Sequence, residues 1–283
     1  MGSDTPYPLV RLIYISHFDY YSVISRYMSR WERLRETHTE LGGGKGIFGQ
    51  EAKTHDKKTG EAAKYVFKML GKAFPSLQFR HRFKIPKSEI NHKLGEINPK
   101  LGVTQFVRAS SVKPDGGVIE VKDVNGGWRP ILVGEAKKQG TNVERIKEGL
   151  GKQAQGNAIE RTHKNIAELK NYMLRENYFP YVVFMHGSDL TTETLLVPEP
   201  SGEIFELHPT SIPDRLTAAS YGMPVNVPYC RNIFAEHIDG SKIMLQIASL
   251  YMRNDPWTEK EMVDVMIEIA QEALTCLDEL NQL

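Results

Sequence analysis

Cysteine is scarce in this chain of 283 residues, which has only Cys230 and Cys276. Two thiols so far apart in the sequence indicate neither a disulfide framework nor a zinc site, so we expect reduced cysteines in the core. No apolar run approaches the roughly eighteen residues that a membrane span needs. The first residues, Met1 to Asp4, also lack the basic and apolar regions of a secretory signal. We therefore expect a cytoplasmic protein that makes no membrane contact.

An excess of one charge is also absent, because 36 Lys and Arg residues oppose 35 Asp and Glu residues. Charge is nevertheless unevenly distributed: Lys137 to Arg175 holds nine Lys or Arg against four Glu, whereas Asn254 to Leu283 holds eight acids against one Lys. A second basic cluster consists of Arg80, His81, Arg82, Lys84 and Lys87. We predict a face that attracts phosphate near these basic segments, with ordinary solvated charge as the alternative.

The composition, 40% hydrophobic and 25% charged, is that of a globular protein with one sizeable core. We predict an N-terminal arm or appended helix over residues 1–45 and a single domain over residues 46–283. The arm mixes aromatic residues with arginines, which suits either a helix docked on the body or an arm that reaches nucleic acid. The glycine-rich run from Leu41 to Gly46 is interpreted as a hinge. It lacks the Ser or Thr that a phosphate-cradling loop places after its lysine, here Lys45.

Two β-branched segments in the middle of the chain predict a hairpin. They are Val118–Lys122 and Pro130–Gly134, and the turn residues Asp123–Gly127 separate them. Folding about this turn sets Asp115 roughly opposite Glu135, to within about two residues. The hairpin is therefore expected to bring two carboxylates together.

The tripeptide Glu135-Ala136-Lys137 predicts a catalytic centre beside Asp115. Glu135 and Lys137 are two apart on a strand and share a face, whereas Ala136 points away and leaves its carbonyl near the site. Solvated charges beside a hairpin are the ordinary alternative, but the apolar run Ile131–Val133 indicates an interior strand where unpaired charge is costly.

Two carboxylates and a carbonyl oxygen suit Mg²⁺, which prefers oxygen ligands and takes one or two carboxylates from the protein. We predict Asp115, Glu135 and Ala136 as metal ligands, since a cation relieves the repulsion between the acids and acts as a Lewis acid on phosphate. Lys137 completes the catalytic set with Asp115 and Glu135. It either stabilises transition-state charge or orients and deprotonates the attacking water; the nearby acids favour the first role.

Helical and strand patterns alternate along the rest of the chain and predict an α/β fold with a central mixed sheet flanked by helices. Tyr181–Met185 is predicted as a buried strand. A capping box at Thr258–Glu261 opens a final amphipathic helix. Helices are also predicted over Glu51–Gly71, from Val143, and over Ala158–Asn177.

The start of the predicted helix at Ala158 carries side chains suited to reading base edges. Asn157 and Arg161 match the favoured pairs of asparagine with adenine and arginine with guanine in the major groove, and Glu160 lies between them. A plain helix cap is the alternative explanation of Asn157.

Several stretches closely resemble the EcoRI-type restriction endonucleases of the PD-(D/E)XK nuclease superfamily. Besides Asp115 and Glu135-Ala136-Lys137, they are Gly156–Asn165, Phe179–Val182 and Arg215–Pro224. The resemblance extends from about Gly46 to about Tyr251. It implies a restriction-endonuclease-like core and Mg²⁺-dependent hydrolysis of double-stranded DNA at GAATTC. The implied cut lies between G and A and leaves 5′ overhangs with 5′-phosphates.

The resemblance also implies a homodimer, a partner DNA methyltransferase in the host, and a set of DNA-binding residues. Those residues are Gly156, Asn157, Ala158, Glu160, Arg161, Lys164 and Arg215. The chain departs from the family at Ile212, where the family has arginine, and at Gln153 and Gln155, which replace apolar residues. Two other functions stay open at this point. They are a repair or junction-processing nuclease of the same superfamily and a DNA-binding regulator without cleavage.

Overall fold

The structure, a computed structural model, describes residues 11–12, 55–105, 108–138, 142–149, 157–210 and 212–283. The predicted arm therefore lies outside the described residues except for Arg11 and Leu12, and so does most of the glycine-rich piece before Asn157. None of the helices described is long and apolar enough to cross a membrane. Cys230 and Cys276 are both buried free thiols, as expected from the sequence.

Helices and strands alternate through the described residues. The helices are α1 (His55–Ala73), α2 (Lys87–Ile97), α3 (Asn142–Lys147), α4 (Asn157–Tyr172), α5 (Ile212–Ala219) and α6 (Glu259–Glu279). The strands are β1 (Arg11–Leu12), β2 (Phe79–Arg82), β3 (Ile85–Pro86), β4 (Ser111–Val112), β5 (Gly117–Lys122), β6 (Trp128–Lys138), β7 (Tyr181–His186), β8 (Leu195–Pro198), β9 (Ile204–Leu207), β10 (Ile233–Glu236), β11 (Lys242–Leu245) and β12 (Ser249–Arg253).

A five-stranded sheet in the order β12-β7-β6-β5-β2 forms the centre of the molecule. The strands β12, β7 and β6 run parallel, whereas β6, β5 and β2 pair antiparallel, so the sheet is mixed. The other described sheets are small: β3 with β4, β8 with β9, and β1 with β10 and β11. The expected α/β architecture is confirmed.

Side chains of β7 alternate between two apolar layers because successive residues of a strand point to opposite faces. Val182 and Phe184 pack with α1 and α6 on one face. Tyr181, Val183 and Met185 pack with residues of α2, α4 and α5 on the other. A strand buried on both faces has a continuous run of apolar residues. For this reason the run Tyr181–Met185 predicted a buried strand.

The capping box at the start of α6 is present as predicted. The Thr258 side chain accepts from the Glu261 main-chain N–H, and the Glu261 carboxylate accepts from the Thr258 main-chain N–H. The buried face of α6 includes Val263 and Met266, as expected of the predicted amphipathic helix. The helix predicted over Glu51–Gly71 is α1, which continues to Ala73.

Helix α4 ends at Tyr172, five residues before the predicted end at Asn177. The difference has a tertiary cause at Glu176. Its main-chain carbonyl accepts from Asn232 Nδ2 at 2.8 Å, and its carboxylate accepts from Arg129 Nη1 at 3.1 Å. These contacts with distant segments hold the chain in a turn that leads into β7.

Candidate active site

The antiparallel hairpin of β5 and β6 places Asp115 beside Ala136. Gly117 is paired with Gly134, a bulge follows at Ile119 and Glu120, and the Ala136 main-chain N–H donates to Asp115 Oδ2 at 3.0 Å. This register lies within the two-residue range that the sequence predicted. The hairpin therefore brings Asp115 to the strand that carries the Glu-Ala-Lys tripeptide.

Two glycines allow the tight turn that carries Asp115. The Gly116 main-chain N–H donates to the Gly134 carbonyl at 2.8 Å, and Gly117 has a positive φ of 73°. A Cβ on Gly117 would lie 2.6 Å from the Arg82 carbonyl oxygen and 2.8 Å from His81 Nε2. Glycine is required here for both backbone conformation and space. His81 Nε2 also lies 2.8 Å from the Gly116 carbonyl oxygen, a hydrogen bond that holds the turn against β2.

The Lys137 ammonium lies at the centre of the site. Its Nζ is 2.8 Å from Asp115 Oδ2, 2.5 Å from Glu135 Oε1 and 2.7 Å from the Ala136 carbonyl oxygen. The Glu135 side chain is 1% exposed, compared with 17% for Lys137 and 20% for Asp115. The structure thus brings together all of the residues predicted as catalytic or metal-binding, with Glu135 deepest.

Burial and neighbouring charges shift the pKa values of both Glu135 and Lys137. Burial, and then the charge of Asp115, raise the pKa of Glu135 to about 7, although Lys137 and Asn165 lower it. Burial would lower the pKa of Lys137, but Glu135 and Asp115 outweigh burial and raise that pKa above its ordinary value. Lys137 is therefore a cation at neutral pH, while the raised pKa makes Glu135 hold its proton more tightly than an ordinary glutamate does.

The donor set of the site suits a divalent cation bound through oxygen. Asp115 and Glu135 offer carboxylates, Ala136 offers a carbonyl, and the buried Glu135 Oε2 has no hydrogen-bond partner among the described residues. Within those residues no group of three acids, histidines or cysteines gathers as a metal cluster would. Two carboxylates with a main-chain oxygen fit the limited protein coordination that Mg²⁺ accepts.

Two side chains near the site, the half-buried Asn165 and the buried Tyr181, were not found from the sequence. Asn165 Nδ2 donates to Glu135 Oε1 at 2.9 Å, although the residues are 30 apart in the chain. The Tyr181 hydroxyl is buried without a hydrogen-bond partner among the described residues, and burial, Glu135 and Asp115 raise its pKa well above the ordinary value. Asn165 lies in a stretch that carries the family resemblance, but no local spacing links it to Glu135.

Most of the basic cluster around Arg82 turns inward, contrary to both sequence interpretations. Arg80 Nε and Arg82 Nε donate to the fully buried Glu120 carboxylate at 2.6 and 2.8 Å. Lys87 Nζ lies 2.6 Å from Glu168 Oε1 on α4. A buried acid needs partners, so these cations neutralise carboxylates of the protein and do not form a surface for phosphate. Lys84 alone of these lysines and arginines is classed as exposed.

The residues predicted to bind DNA lie on α4 and α5 where the structure describes them. Helix α4 begins at Asn157, one residue before the predicted start at Ala158. The side chains of Glu160, Arg161 and Lys164 are exposed on it, and Arg215 is exposed on α5. Gly156, Gln153 and Gln155 fall outside the described residues, as do the side chains of Asn157, Ala158 and Ile212. The two helices pack against each other, so these exposed groups belong to neighbouring elements.

A mixed sheet covered by helices, with an aspartate before one central strand and Glu-X-Lys on the next, is the arrangement of the PD-(D/E)XK nuclease class. A sequence model of the restriction endonuclease EcoRI family matches residues 41–282. The chain is 48% identical over 259 residues to the type II restriction enzyme EcoRI of Escherichia coli, covering 87% of this chain and 93% of that protein. It is 44% identical over 257 residues to the type II restriction enzyme RsrI of Cereibacter sphaeroides, covering 86% and 92%.

The chain belongs to the EcoRI family of restriction endonucleases. Enzymes of this family are site-specific deoxyribonucleases that act on double-stranded DNA and depend on a metal ion.

Proposed function

We propose that the chain is a Mg²⁺-dependent type II restriction endonuclease that works as a homodimer on GAATTC and cuts between G and A. The cut leaves four-base 5′ overhangs with 5′-phosphates. The enzyme acts in the cytoplasm of a host whose own sites are protected by a partner methyltransferase. The convergence of Asp115, Glu135 and Lys137 at one point carries this proposal, in a chain that is 48% identical to EcoRI.

Asp115, Glu135 and the Ala136 carbonyl are proposed as the ligands of the metal ion. When bound, Mg²⁺ supplies Lewis acidity to the phosphoryl group and favours ionised water. A bound cation would favour the ionised form of Glu135, whose buried Oε2 has no partner among the described residues. Asp115 is held in place by the Ala136 main-chain N–H.

Lys137 is proposed to stabilise the negative charge that grows on the scissile phosphate. The acids around Nζ keep its proton in place, since they raise its pKa. A protonated amine donates hydrogen bonds to phosphoryl oxygens, and its positive charge stabilises their negative charge. Such electrostatic stabilisation is usually the largest single contribution to catalysis. A base role for Lys137 would need that proton to be lost first.

Recognition is proposed to come from the first turns of α4 together with α5. The proposed DNA-binding set consists of Gly156, which precedes α4 in the sequence, Asn157, Ala158, Glu160, Arg161 and Lys164 on α4, and Arg215 on α5. Each good bidentate pair with a base discriminates by about 1–3 kcal/mol. A two-fold dimer presents the same surface to each half-site, which is why a palindrome suits a homodimer.

Digestion of a sequenced plasmid with Mg²⁺, followed by sequencing of the ends, tests the activity and the site together. We expect every end to fall at G/AATTC, and no product in EDTA. A matched pair of short duplexes, with GAATTC and with one base pair changed, gives the specificity. Ends at other sequences or at branched structures would indicate a different PD-(D/E)XK nuclease. Intact DNA with every divalent ion would indicate a binding protein.

Sedimentation equilibrium tests the oligomeric state. We expect a particle of twice the 32.1 kDa chain mass, and one duplex bound for every two chains. A single chain per duplex would contradict the proposed symmetry.

A further inference from the structure

Glu135 has two carboxylate oxygens in different surroundings. Oε1 accepts from Asn165 Nδ2 at 2.9 Å and lies 2.5 Å from Lys137 Nζ, whereas Oε2 is buried and has no partner among the described residues. Two donors on one oxygen restrict rotation of the carboxylate about its last bond. The donors on Oε1 therefore determine that Oε2 is the oxygen available to a metal ion.

We propose that Asn165 is a positioning residue for Glu135, which holds Oε1 so that Oε2 is presented to the divalent cation. The proposal rests on the proposed function and adds a residue to it. An amide suits this role because its NH₂ group donates to the carboxylate without carrying a charge that would repel the cation. Lys137 alone cannot hold the carboxylate in this way, because its ammonium also contacts Asp115 and the Ala136 carbonyl.

The surroundings of Glu135 leave few other donors to replace Asn165. The carboxylate extends from β6 into the apolar layer that contains Val133 and Val183, beneath α4, and its side chain is only 1% exposed. Bulk water does not reach such a position freely, so loss of Asn165 leaves Oε1 with Lys137 as its remaining donor among the described residues. Without Asn165 the carboxylate is also freer to rotate about its last bond, which would exchange the positions of Oε1 and Oε2.

Asn165 also connects the metal site to the helix that carries the proposed base-reading residues. It lies four residues after Arg161 on α4, one helical turn further along. A shift of α4 along its axis would move Asn165 and Arg161 together, because hydrogen bonds make a helix turn stiff. The orientation of Glu135 is thus set from the recognition helix and not from its own strand alone.

A purely structural role, in which Asn165 only ties α4 to the sheet, gives a different expectation. Glu168 supplies the comparison, since it lies three residues further along α4 and ties the same helix to Lys87 at 2.6 Å. If anchoring α4 were the whole role of Asn165, then Glu168→Ala and Asn165→Ala would have similar effects.

The test compares Asn165→Ala with Glu168→Ala in single-turnover cleavage of a bound GAATTC duplex over a range of Mg²⁺ concentrations. We expect Asn165→Ala to raise the Mg²⁺ concentration for half-maximal rate by about 10–100-fold, the usual effect of removing a partner of a metal ligand. Glu168→Ala should leave that midpoint within about twofold, far below the effect of removing a ligand partner.

Two further measurements do not depend on cleavage. Calorimetric titration of Ca²⁺ into the protein–duplex complex should show the same loss of cation affinity for Asn165→Ala. Fluorescence anisotropy in EDTA should show duplex affinity within about threefold of wild type, which is under 1 kcal/mol. Asn165→Leu, which has nearly the same size and no donor, repeats the test if the alanine variant does not fold.

An unchanged Mg²⁺ midpoint in both Asn165 variants would overturn the proposal. So would an equal shift in Glu168→Ala, or a loss of metal-free DNA affinity as large as the loss of cation affinity. Wild-type protein that leaves the duplex intact would instead refute the proposed function, and the Ca²⁺ titration would still report on Asn165.

Discussion

The Lys137 ammonium offsets negative charge at the candidate site. This ammonium contacts Asp115, Glu135 Oε1 and the Ala136 carbonyl, the three residues that we propose as metal ligands, and leaves Glu135 Oε2 without a partner among the described residues. Positive charge near Asp115 and Glu135 keeps the two acids from repelling one another. The same lysine can therefore stabilise the two carboxylates in the folded protein and the negative charge on a phosphate.

The first prediction at this scale concerns cleavage. Lys137→Ala and Asp115→Ala should each reduce the single-turnover rate by about 10²–10³ or more, because each removes electrostatic stabilisation or metal binding at the scissile phosphate. Specific DNA binding should largely persist, since neither residue is in the proposed base-reading set. Rates come from quenched time courses and binding from anisotropy. Wild-type turnover in both variants would show that the site is wrongly assigned, and Lys84→Ala, an exposed lysine elsewhere, serves as control.

A second residue-scale prediction concerns stability in EDTA. Burial and Asp115 raise the pKa of Glu135 to about 7 from 4.5, so the folded protein holds this proton more tightly than the unfolded chain. Stability should then fall as pH rises between these values. Glu135→Gln removes the titration and keeps an acceptor for Asn165 and Lys137. The variant should be more stable than wild type at pH 8 by up to about 3 kcal/mol, with little difference at pH 4.5 or below.

Denaturant melts of both proteins at several pH values check this sign. The groups that face Glu135 are Asp115 and Lys137 on the hairpin, Asn165 on α4 and Tyr181 on β7. Tyr181 and Lys137 have raised pKa values and keep their protons over this range. A stability difference between Glu135→Gln and wild type that is the same at every pH would contradict the raised pKa.

Among the elements, the hairpin of β5 and β6 determines where the proposed catalytic groups lie. Its two ends both require glycine, but for different reasons. Gly117 has a positive φ and no room for a Cβ, whereas a Cβ on Gly126, which also has a positive φ, would meet only Lys122 Cε at 3.9 Å. The crowded glycine is the one next to Asp115.

This contrast predicts the effects of two matched substitutions. Gly126→Ala should lower the free energy of unfolding by about 1–2 kcal/mol, because alanine is strained in the left-handed conformation, and the variant should retain cleavage. Gly117→Ala adds a clash with the Arg82 carbonyl, so it should displace Asp115 and lower the cleavage rate well beyond the effect of Gly126→Ala. Denaturant melts and single-turnover rates separate the two effects. Equal cleavage by both variants would show that the Asp115 turn tolerates movement.

At the scale of the whole molecule, the sheet and both of its covering layers lie in residues 55–283. Acidic and basic residues are also unevenly distributed: acids are concentrated after Asn254, and basic residues from Lys137 to Arg175. We infer that residues 46–283 form one domain and that residues 1–45 are an arm. Within the arm, Arg11 and Leu12 pair with Glu236 and Ala235 at the edge of a small sheet.

A protein lacking residues 1–45 should therefore keep a single cooperative unfolding transition. Loss of the two-residue ladder to β10 should cost about 1–3 kcal/mol, because each net hydrogen bond contributes about 0.5–1.5 kcal/mol. Thermal denaturation followed by circular dichroism, beside the full-length chain, gives the result. A truncated protein that melts without cooperativity would place the arm inside the domain.

Signals that act within a few residues made much of the fold predictable. The β-branched segments around Asp123–Gly127, the capping box at Thr258 and the apolar run Tyr181–Met185 each specify local geometry through turn chemistry, capping or burial. Because side chains alternate along a strand, the same local rules also indicated that Glu135 and Lys137 share a face. The sequence by itself thus determined the hairpin, the shared face of the proposed catalytic residues Glu135 and Lys137, and the family.

Tertiary structure decided what depends on residues far apart in the chain. The contact of Asn165 with Glu135, the inward pairing of Arg82 with Glu120, and the end of α4 at Tyr172 all follow from how packed elements meet. Neither the partner of a buried charge nor the end of a helix is encoded in local spacing alone, because both depend on which distant group supplies the hydrogen bond. Only the packed sheet and helices bring those groups within reach.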